Sequence, residues 1–318
     1  MSSGMNIGQL GNATRASFGE SLASLGKEFK SIVVLDADLS KSTKSESFSK
    51  NAPERFFQMG IQEANMIGAA AGLAFSGKIP FLCSFGAFLT GRFDQIRVTI
   101  GYAQANVRLV GTHAGVGIGE DGCSQMALED LACMRTLPGM AVLQPADDIE
   151  TKAMMRYLID HEGPAYIRLT RQNVVNVHDT NYKFRFGKAD EILDGKDAVV
   201  FATGGLTGNA YTAIKNLEKE GISVGLVNIH SVKPFDKESV QKWSQKVKHV
   251  FTAEDHNVIG GLGGAVAEAM AEIGAPAKLH KIGVQDVYGE SGTPEALYEK
   301  HGLDAHGIGR TLKSILRN

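Results

Sequence analysis

The sequence has 318 residues, enough for two domains with separate cores at roughly 100–200 residues per domain. Apolar residues make up 43% and charged residues 21% of the chain, which is typical of globular proteins and excludes disordered, collagen-like and coiled-coil chains. The 33 basic and 35 acidic residues give a formal charge of −2 without a polybasic block, so neither nucleic acid nor an anionic membrane is an expected partner.

Short β-branched or aromatic runs alternate with helical patterns along the chain, as is typical of parallel sheets covered by helices. In the first half, strands are predicted at residues 31–36, 56–59, 79–85, 106–112, 140–145 and 165–169. Helices are predicted at about residues 18–29, 63–76, 88–105, 125–137 and 148–161. This half should form one α/β domain.

The alternation of strands and helices is interrupted at residues 172–186. These residues lack periodicity and are rich in Asn, Asp and His, so they are predicted to connect two units. The alternation restarts with strands predicted at residues 198–203, 222–228 and 249–254, and ends with a helix near residues 310–316. We therefore expect two tandem α/β domains at residues 1–175 and 191–318, joined by a linker at 176–190.

Neither the cysteines nor the hydropathy indicates a secreted or membrane protein. The three cysteines, Cys83, Cys123 and Cys133, are odd in number and lack the spacing of metal ligands, as expected of thiols kept reduced in a cytosol. The longest apolar stretch, residues 66–75, is far shorter than the ~20 residues that cross a bilayer, and the polar N-terminus does not resemble a signal peptide. A cytoplasmic location is expected.

Glu63 is the first candidate site residue. Ligands of open parallel sheets bind outside the carboxyl ends of the strands, and Glu63 follows such a strand and begins an apolar helix. A carboxylate at a helix N-terminus is common, since the dipole favours it by ~0.3–1 kcal/mol. Burial among small apolar residues without a cation would outweigh that term and leave a neutral acid. Such an acid can donate a hydrogen bond to a ring nitrogen.

Two further segments after predicted strands are candidates. Phe85 and Phe88 flank small residues in a strand-to-helix turn, where they either stack on a flat ligand or belong to the core, and spacing alone does not decide between these roles. Residues 111–125 contain five glycines and a dense group of His, Glu, Asp, Ser and Gln side chains before a helix. Turns alone do not need so many polar groups, so a binding loop is predicted.

Several long motifs in order resemble the C-terminal half of the transketolases, over residues 12–316. They are GIQEANMIGAAAG (60–72), PFLCSFGAFLTGRFDQIR (80–97), GTHAGVGIGEDGCSQMALEDLACMR (111–135), YIRLTRQ (166–172) and AEDHNVIGGLGGAV (253–266). The resemblance implies a pyrimidine-binding domain with a parallel sheet, followed by a smaller mixed-sheet domain of the transketolase C-terminal type.

The resemblance implies one subunit of a split transketolase, because the GDG-type metal and diphosphate motif of the family's N-terminal domain is absent from this sequence. Such an enzyme uses thiamine diphosphate to transfer a two-carbon ketol unit from a ketose phosphate to an aldose acceptor. The expected partners are an N-terminal diphosphate-binding subunit that supplies the Mg²⁺ ligands, a second copy of this chain in a dimer, and phosphorylated sugars.

The resemblance also assigns residues on the cofactor side. The family's catalytic glutamate, which bonds the aminopyrimidine N1′, matches Glu63. Phe85 and Phe88 match the aromatic pair at the aminopyrimidine, and Phe88 is expected to stack on it. Gln125 falls where many members have a histidine, and contacts either the cofactor amino group or a substrate hydroxyl. Asp38 matches an aspartate near the cofactor.

On the substrate side, the resemblance assigns five residues. His113 matches a histidine of the substrate channel with a catalytic role, and Asp121 matches the aspartate that binds a sugar hydroxyl. Arg15, Ser42 and Arg171 match the residues that bind the sugar phosphate. Arginine is suited to that task because its guanidinium forms charge-assisted, often bidentate hydrogen bonds.

Other notable residues receive a structural interpretation. Arg168 is expected to be structural, and the glycine run at residues 260–264 matches the family's C-terminal domain, where its role is mainly packing. The neighbouring residues 254–256, Glu-Asp-His, lack a nearby nucleophile, which argues against a catalytic triad. Cys123 replaces a proline that is common in this family, so the shape of the loop is expected to differ there.

Two alternative functions stay open. One is the β-type subunit of a related thiamine enzyme, either a 2-oxo acid dehydrogenase E1 or a deoxyxylulose-phosphate synthase. The other is a non-catalytic scaffold subunit. The SQMALEDL run at residues 124–131 and the phosphate-binding set favour ketol transfer over the first. Four site residues are all present, which argues against the second because a decayed site should have lost some of them: Glu63, His113, Asp121 and Arg171.

Overall fold

A computed structural model describes residues 7–317, so the ends of the predicted domain ranges, residues 1–6 and 318, lie outside the described residues. The strands are β1 (Leu10–Ala13), β2 (Ile32–Asp36), β3 (Phe56–Gln58), β4 (Ile79–Phe85), β5 (Arg108–Thr112), β6 (Ala141–Leu143), β7 (Ala165–Arg168), β8 (Asn173–Val175), β9 (Asp190–Leu193), β10 (Ala198–Ala202), β11 (Val224–Asn228), β12 (Ser231–Lys233), β13 (His249–Asn257) and β14 (Lys278–Val284).

The α-helices are α1 (Thr14–Glu28), α2 (Ser40–Thr43), α3 (Glu46–Ser49), α4 (Glu63–Phe75), α5 (Gly86–Thr90), α6 (Phe93–Gln95), α7 (Asp130–Arg135), α8 (Asp148–Asp160), α9 (Leu206–Glu218), α10 (Lys237–Lys246), α11 (Leu262–Glu272), α12 (Pro294–His301) and α13 (Ala305–Leu316). A π-helix covers Ile96–Tyr102, and short 3₁₀ turns cover Pro53–Arg55, Val116–Ile118 and Cys123–Gln125. Among the helices of residues 7–317, none has both the length and the apolar character to span a bilayer.

The first sheet has seven strands in the order β12-β6-β7-β5-β4-β2-β3. All neighbours pair in parallel except β12, which is antiparallel to β6. In β2, Ile32 and Val34 pack in one core cluster, while Val33 and Leu35 pack in another on the opposite face. A strand buried on both faces is expected when helices cover a parallel sheet on both sides, and the predicted architecture of this domain is confirmed.

The second sheet has five strands in the order β14-β13-β10-β11-β9, and only its edge strand β9 runs antiparallel to its neighbour. The mixed sheet implied by the family resemblance is therefore present, and the predicted class of two tandem α/β domains is confirmed. The short strand β12 follows β11 in the chain but joins the sheet of the first domain. The pairing of β12 with β6 therefore links the two domains. The exact domain ranges stay predictions.

Three expectations about local structure are wrong. The helix predicted at 88–105 is broken at Gly91. The Thr90 hydroxyl lies within hydrogen-bond distance of the backbone carbonyls at the start of α5, and such contacts bend helices. The glycine that follows has a low helix propensity. The helix predicted at 125–137 is reduced to α7. Part of the predicted connector forms strand β8, which pairs with β1.

Candidate active site

The carboxyl ends of β2, β4 and β5 lie side by side, because these strands are parallel neighbours in the first sheet. Glu63 lies at the start of α4, Phe85 ends β4, and His113 directly follows β5. The topology therefore brings together at one edge residues that are 50 positions apart in sequence. This edge is where ligands of open parallel sheets bind.

The Glu63 side chain is buried beside a small opening. The residue is 5% exposed, and the Ser84 hydroxyl donates a hydrogen bond to Glu63 Oε1 at 3.1 Å. Glu63 and Phe88 line a cavity of about 230 Å³ together with Ile61 and Arg92. Ligand pockets are typically ~300–1,000 Å³, so this cavity is only part of a binding site.

Phe85 and Phe88 differ in their surroundings. Phe85 is buried in a core cluster and stacks between two rings, with its centroid 5.3 Å from that of Phe88 and 3.9 Å from that of His113. Phe88 is half-buried and lines the cavity beside Glu63. Of the two roles that spacing left open, Phe85 has the core position, and Phe88 is the ring available to a flat ligand.

His113 is held in a defined protonation state. Its backbone has a φ of +59°, which is uncommon for a residue other than glycine and often marks a functional site. Arg15 Nη1 lies 2.8 Å from Nε2, and arginine only donates, so Nε2 accepts and Nδ1 carries the proton toward Thr112 Oγ1 at 2.8 Å. Burial, and then the charges of Arg15, Arg171 and Lys44, lower the pKa of His113 to about 3. The ring is neutral near pH 7.

Hydrogen bonds at the side chain and at the main-chain carbonyl of Ser84 connect the acid indirectly to the arginine. The Thr112 hydroxyl donates to the Ser84 carbonyl at 3.4 Å, and the Ser84 hydroxyl donates to Glu63. The path therefore runs from Glu63 through Ser84, Thr112 and His113 to Arg15. Sequence reasoning did not identify Ser84 or Thr112 as site residues. Both residues lie at the carboxyl ends of predicted strands, and this position is the sequence signal that could have identified them.

Cationic side chains gather around the Nε2 side of the His113 ring. Arg15 donates to the Ser42 backbone carbonyl at 2.7 Å, so Ser42 contacts it through the main chain. Burial and the nearby Arg171 lower the pKa of Arg15, while Asp121 raises it. Arg171 pairs with the exposed Glu120 at 3.1 Å. Surface ion pairs of this kind contribute only about 0–1 kcal/mol to stability. Breaking the pair with Glu120 to bind an anionic ligand would therefore cost Arg171 little free energy.

Two predicted cofactor residues are less closely connected. Asp38 is exposed in a turn with a φ of +64°, and its backbone N–H donates to the Gln58 side chain at 2.6 Å. Gln125 is half-buried at the end of a 3₁₀ turn. Among residues 7–317, no hydrogen bond joins either side chain to Glu63 or His113. Their assigned roles stay predictions.

The second domain fixes the glycine-rich loop. The buried carboxylate of Asp255 accepts the backbone N–H groups of Val116 at 2.8 Å and Gly117 at 3.2 Å, and the Tyr298 hydroxyl donates to it at 2.9 Å. These bonds hold the loop that follows His113 in place. Asp255 therefore shapes the site from the other domain.

The residues given a structural interpretation have structural contacts. Arg168 is 1% exposed and bonds the buried Asp130 carboxylate at 2.8 Å. Glu254 accepts the backbone N–H groups of Leu262 at 2.6 Å and Gly263 at 2.7 Å. The N-terminus of α11, where a phosphate of a nucleotide would bind, is thus filled by the protein's own carboxylate.

Both domains match known families. Residues 11–176 match the family described as the transketolase pyrimidine binding domain, and residues 187–308 match the transketolase C-terminal domain. A protein of Methanocaldococcus jannaschii, described as a putative transketolase C-terminal section, is 43% identical over 306 residues. These residues cover 95% of this chain and 96% of that protein.

Two further proteins are similar over most of their length. The 6-deoxy-6-sulfo-D-fructose transketolase subunit of a Clostridium species is 42% identical over 285 residues, which cover 89% of this chain and 88% of that subunit. A solved structure described as a split gene transketolase, inactive beta4 tetramer, is 46% identical. It superposes with a TM-score of 0.89 over 96% of this chain and 99% of that one.

Proposed function

The chain belongs to the transketolase family, and from this premise we propose that it is one subunit of a split transketolase. With an N-terminal diphosphate-binding subunit, it transfers a two-carbon ketol unit from a ketose phosphate to an aldose acceptor. The observation that carries the proposal is the series of contacts through Ser84, Thr112 and His113 that places the buried Glu63 near the cationic group around Arg15. Relatives of similar length are described as a transketolase subunit and a C-terminal section.

The residues around Glu63 fit the pyrimidine end of thiamine diphosphate. A buried carboxyl suits a basic ring nitrogen, and the half-buried Phe88 beside it suits the face of a flat ring. Within residues 7–317, one group of His, Asp and Glu side chains has metal-binding geometry. None of the predicted site residues belongs to this group. In the proposed enzyme, the Mg²⁺ ligands and the rest of the pocket therefore come from the partner subunit.

Each side chain then has a defined task. The bound cofactor supplies the carbon that carries the two-carbon unit between sugars. Glu63 holds a proton at the pyrimidine nitrogen, and the Ser84 hydroxyl orients its carboxyl group. Neutral His113 lines the substrate channel, and Asp121 binds a sugar hydroxyl.

The phosphate-binding role rests on electrostatics. Arg171 is close enough to lower the pKa of Arg15, and the charges of Arg15, Arg171 and Lys44 all lower the pKa of His113. Like charges held together at a partly buried site favour an anion. A phosphate accepts several charge-assisted hydrogen bonds from guanidinium groups, so the sugar phosphate is the proposed occupant of this group.

Reconstitution tests the function. The chain is mixed with the diphosphate-domain subunit, thiamine diphosphate and Mg²⁺, and transfer from a ketose phosphate to an aldose is followed by product analysis. We expect transfer in the mixture and none from either subunit alone. A mixture that instead decarboxylates 2-oxo acids would identify the related thiamine enzymes as the correct class. Complete inactivity with both substrate classes in a well-formed complex would support the scaffold alternative.

We further propose that the chain associates with a second copy through α4. The outer side of this helix is largely apolar, with Asn65 as an exposed polar residue; Phe75 is 66% exposed and the preceding Ile61 is 79% exposed. Gly68 and Gly72 lie on the same side, and the space around each is open. An exposed patch of this kind is typical of an interface. The solved relative is itself described as a tetramer.

A charge on this face should prevent the association. Gly72→Glu places a carboxylate at the contact, and it should not unfold the chain because glutamate has a higher helix propensity than glycine by up to ~1 kcal/mol. Light scattering after size exclusion should give an oligomer for the unmodified chain and monomers for the variant. Asn216→Glu, on the exposed side of α9, is the control. Unchanged mass for Gly72→Glu would contradict the proposed interface.

A further inference from the structure

Three side chains of types that can ligate a metal ion converge where the two domains meet. Glu150 lies in α8 of the first domain, Asp190 begins β9, and His230 lies between β11 and β12. Each offers one ligand atom, and these atoms all lie within 4.8 Å of one another. We propose that this group, named here the junction cluster, binds one divalent transition-metal ion of the zinc type.

His230 is the first observation in favour. The residue is fully buried, and within residues 7–317 neither ring nitrogen has a hydrogen-bond partner of good geometry, although the Lys188 carbonyl lies near the ring. Its Nε2 lies 3.5 Å from Asp190 Oδ2, too far for a direct hydrogen bond. Buried polar groups without partners are rare because they are costly. An ion between these two atoms would satisfy both.

Tyr182 provides the second, independent observation. Its hydroxyl oxygen lies 2.7 Å from Glu150 Oε1 and 2.9 Å from Asp190 Oδ2. A hydroxyl has one proton to donate, so when both carboxyl groups are ionised it satisfies only one of them, and the other faces an oxygen lone pair. A cation bound to the carboxylates removes this repulsion. The Asn228 amide also bonds Glu150, at 3.0 Å to each oxygen, and orients that carboxylate.

A second histidine faces the same carboxylate. His178 Nδ1 lies 2.9 Å from Asp147 Oδ2, while His178 Nε2 is buried without a partner in the described residues and lies 3.9 Å from Asp190 Oδ2. A carboxylate behind one imidazole nitrogen is the usual arrangement for a histidine that ligates a metal through the other nitrogen. Nε2 of His178 is therefore the nearest candidate for a fourth ligand.

The donor set points to zinc rather than to magnesium or calcium. Imidazole and carboxylate ligands together suit zinc and related ions, whereas magnesium and calcium prefer oxygen alone. Tetrahedral ligands at about 2.1 Å from zinc are ~3.4 Å apart, close to the 3.5 Å between His230 Nε2 and Asp190 Oδ2. Because the ligands come from both domains, the ion would fix one domain against the other.

The test uses the full chain, stripped of metal with a chelator and titrated with ZnCl₂ and with CoCl₂. His249 and His280 form another histidine pair on neighbouring strands, with His249 Nδ1 3.1 Å from His280 Nε2. This pair could bind zinc by itself. His280→Gln is therefore the matched control for His230→Gln. Asp190→Asn is a second test variant, and circular dichroism checks that each variant folds.

We expect one equivalent of zinc that is retained in His280→Gln. In His230→Gln and in Asp190→Asn, the affinity should fall by at least about 10–100-fold. The cobalt form should show the intense visible absorption of a tetrahedral site, and this absorption should be absent from His230→Gln. Zinc binding that disappears with His280 and persists without His230, or no binding at all, would overturn the proposal.

Discussion

Replacing Glu63 with glutamine will lower ketol transfer by the reconstituted enzyme by about 10²–10⁴-fold, the usual contribution of a positioned acid or base. Glutamine keeps the shape of the side chain and accepts the Ser84 hydrogen bond through its amide oxygen. An amide does not take up and release a proton near neutral pH, so the pyrimidine nitrogen loses its proton partner. The fold and the assembly with the partner should be unaffected, because the change is isosteric.

Two measurements separate this result from a loss of binding. Deuterium exchange at C2 of the bound cofactor should slow with the transfer rate, and calorimetry should find the cofactor still bound. Glu54→Gln, at an exposed glutamate that forms an ion pair with its neighbour Arg55, is the control and should leave both unchanged. Exchange at the unmodified rate in Glu63→Gln would remove Glu63 from the mechanism.

Replacing Arg171 with alanine will raise KM for phosphorylated sugars by about 10-fold or more and change KM for unphosphorylated sugars little. A hydrogen bond to a charged group contributes about 1.5–3 kcal/mol, and each 1.4 kcal/mol is tenfold in affinity. The native contacts of Arg171 are an exposed ion pair and one backbone carbonyl, so their loss should have little effect on stability.

Steady-state kinetics with matched phosphorylated and dephosphorylated acceptors test this effect. Arg310→Ala, on the exposed side of α13 in the second domain, removes the same charge at a residue outside the candidate site and should change neither KM. If Arg171→Ala weakens both acceptors equally, the phosphate assignment is wrong and Arg171 instead shapes the loop.

Much of the fold followed from the sequence, because strands buried on both faces have short apolar runs that are easy to recognise. The placement of Glu63 and His113 at strand ends followed from the same logic, since parallel strands present their carboxyl ends at one edge. The family resemblance supplied the roles. The resemblance favoured Phe88 for stacking, but which ring lines a cavity required the structure, because spacing alone is compatible with a core position for either one.

Other features depend on pairings that a sequence does not display. Strand β12 has only three residues and joins the sheet of the other domain, so no local pattern reveals it. The junction cluster brings together Glu150, Asp190 and His230 from three separate segments of the chain. The histidine and aspartate content of the connector at 172–186 was a signal for it, since His178 and Tyr182 both contact the cluster.

The most direct test of the account is the calorimetric titration of thiamine diphosphate and Mg²⁺ into this chain, and then into its mixture with the diphosphate-domain subunit. The chain offers a buried acid beside an incomplete cavity of about 230 Å³, so we expect weak or undetectable binding by the chain alone and micromolar or tighter binding by the mixture. Micromolar binding together with ketol transfer by this chain alone would contradict the account.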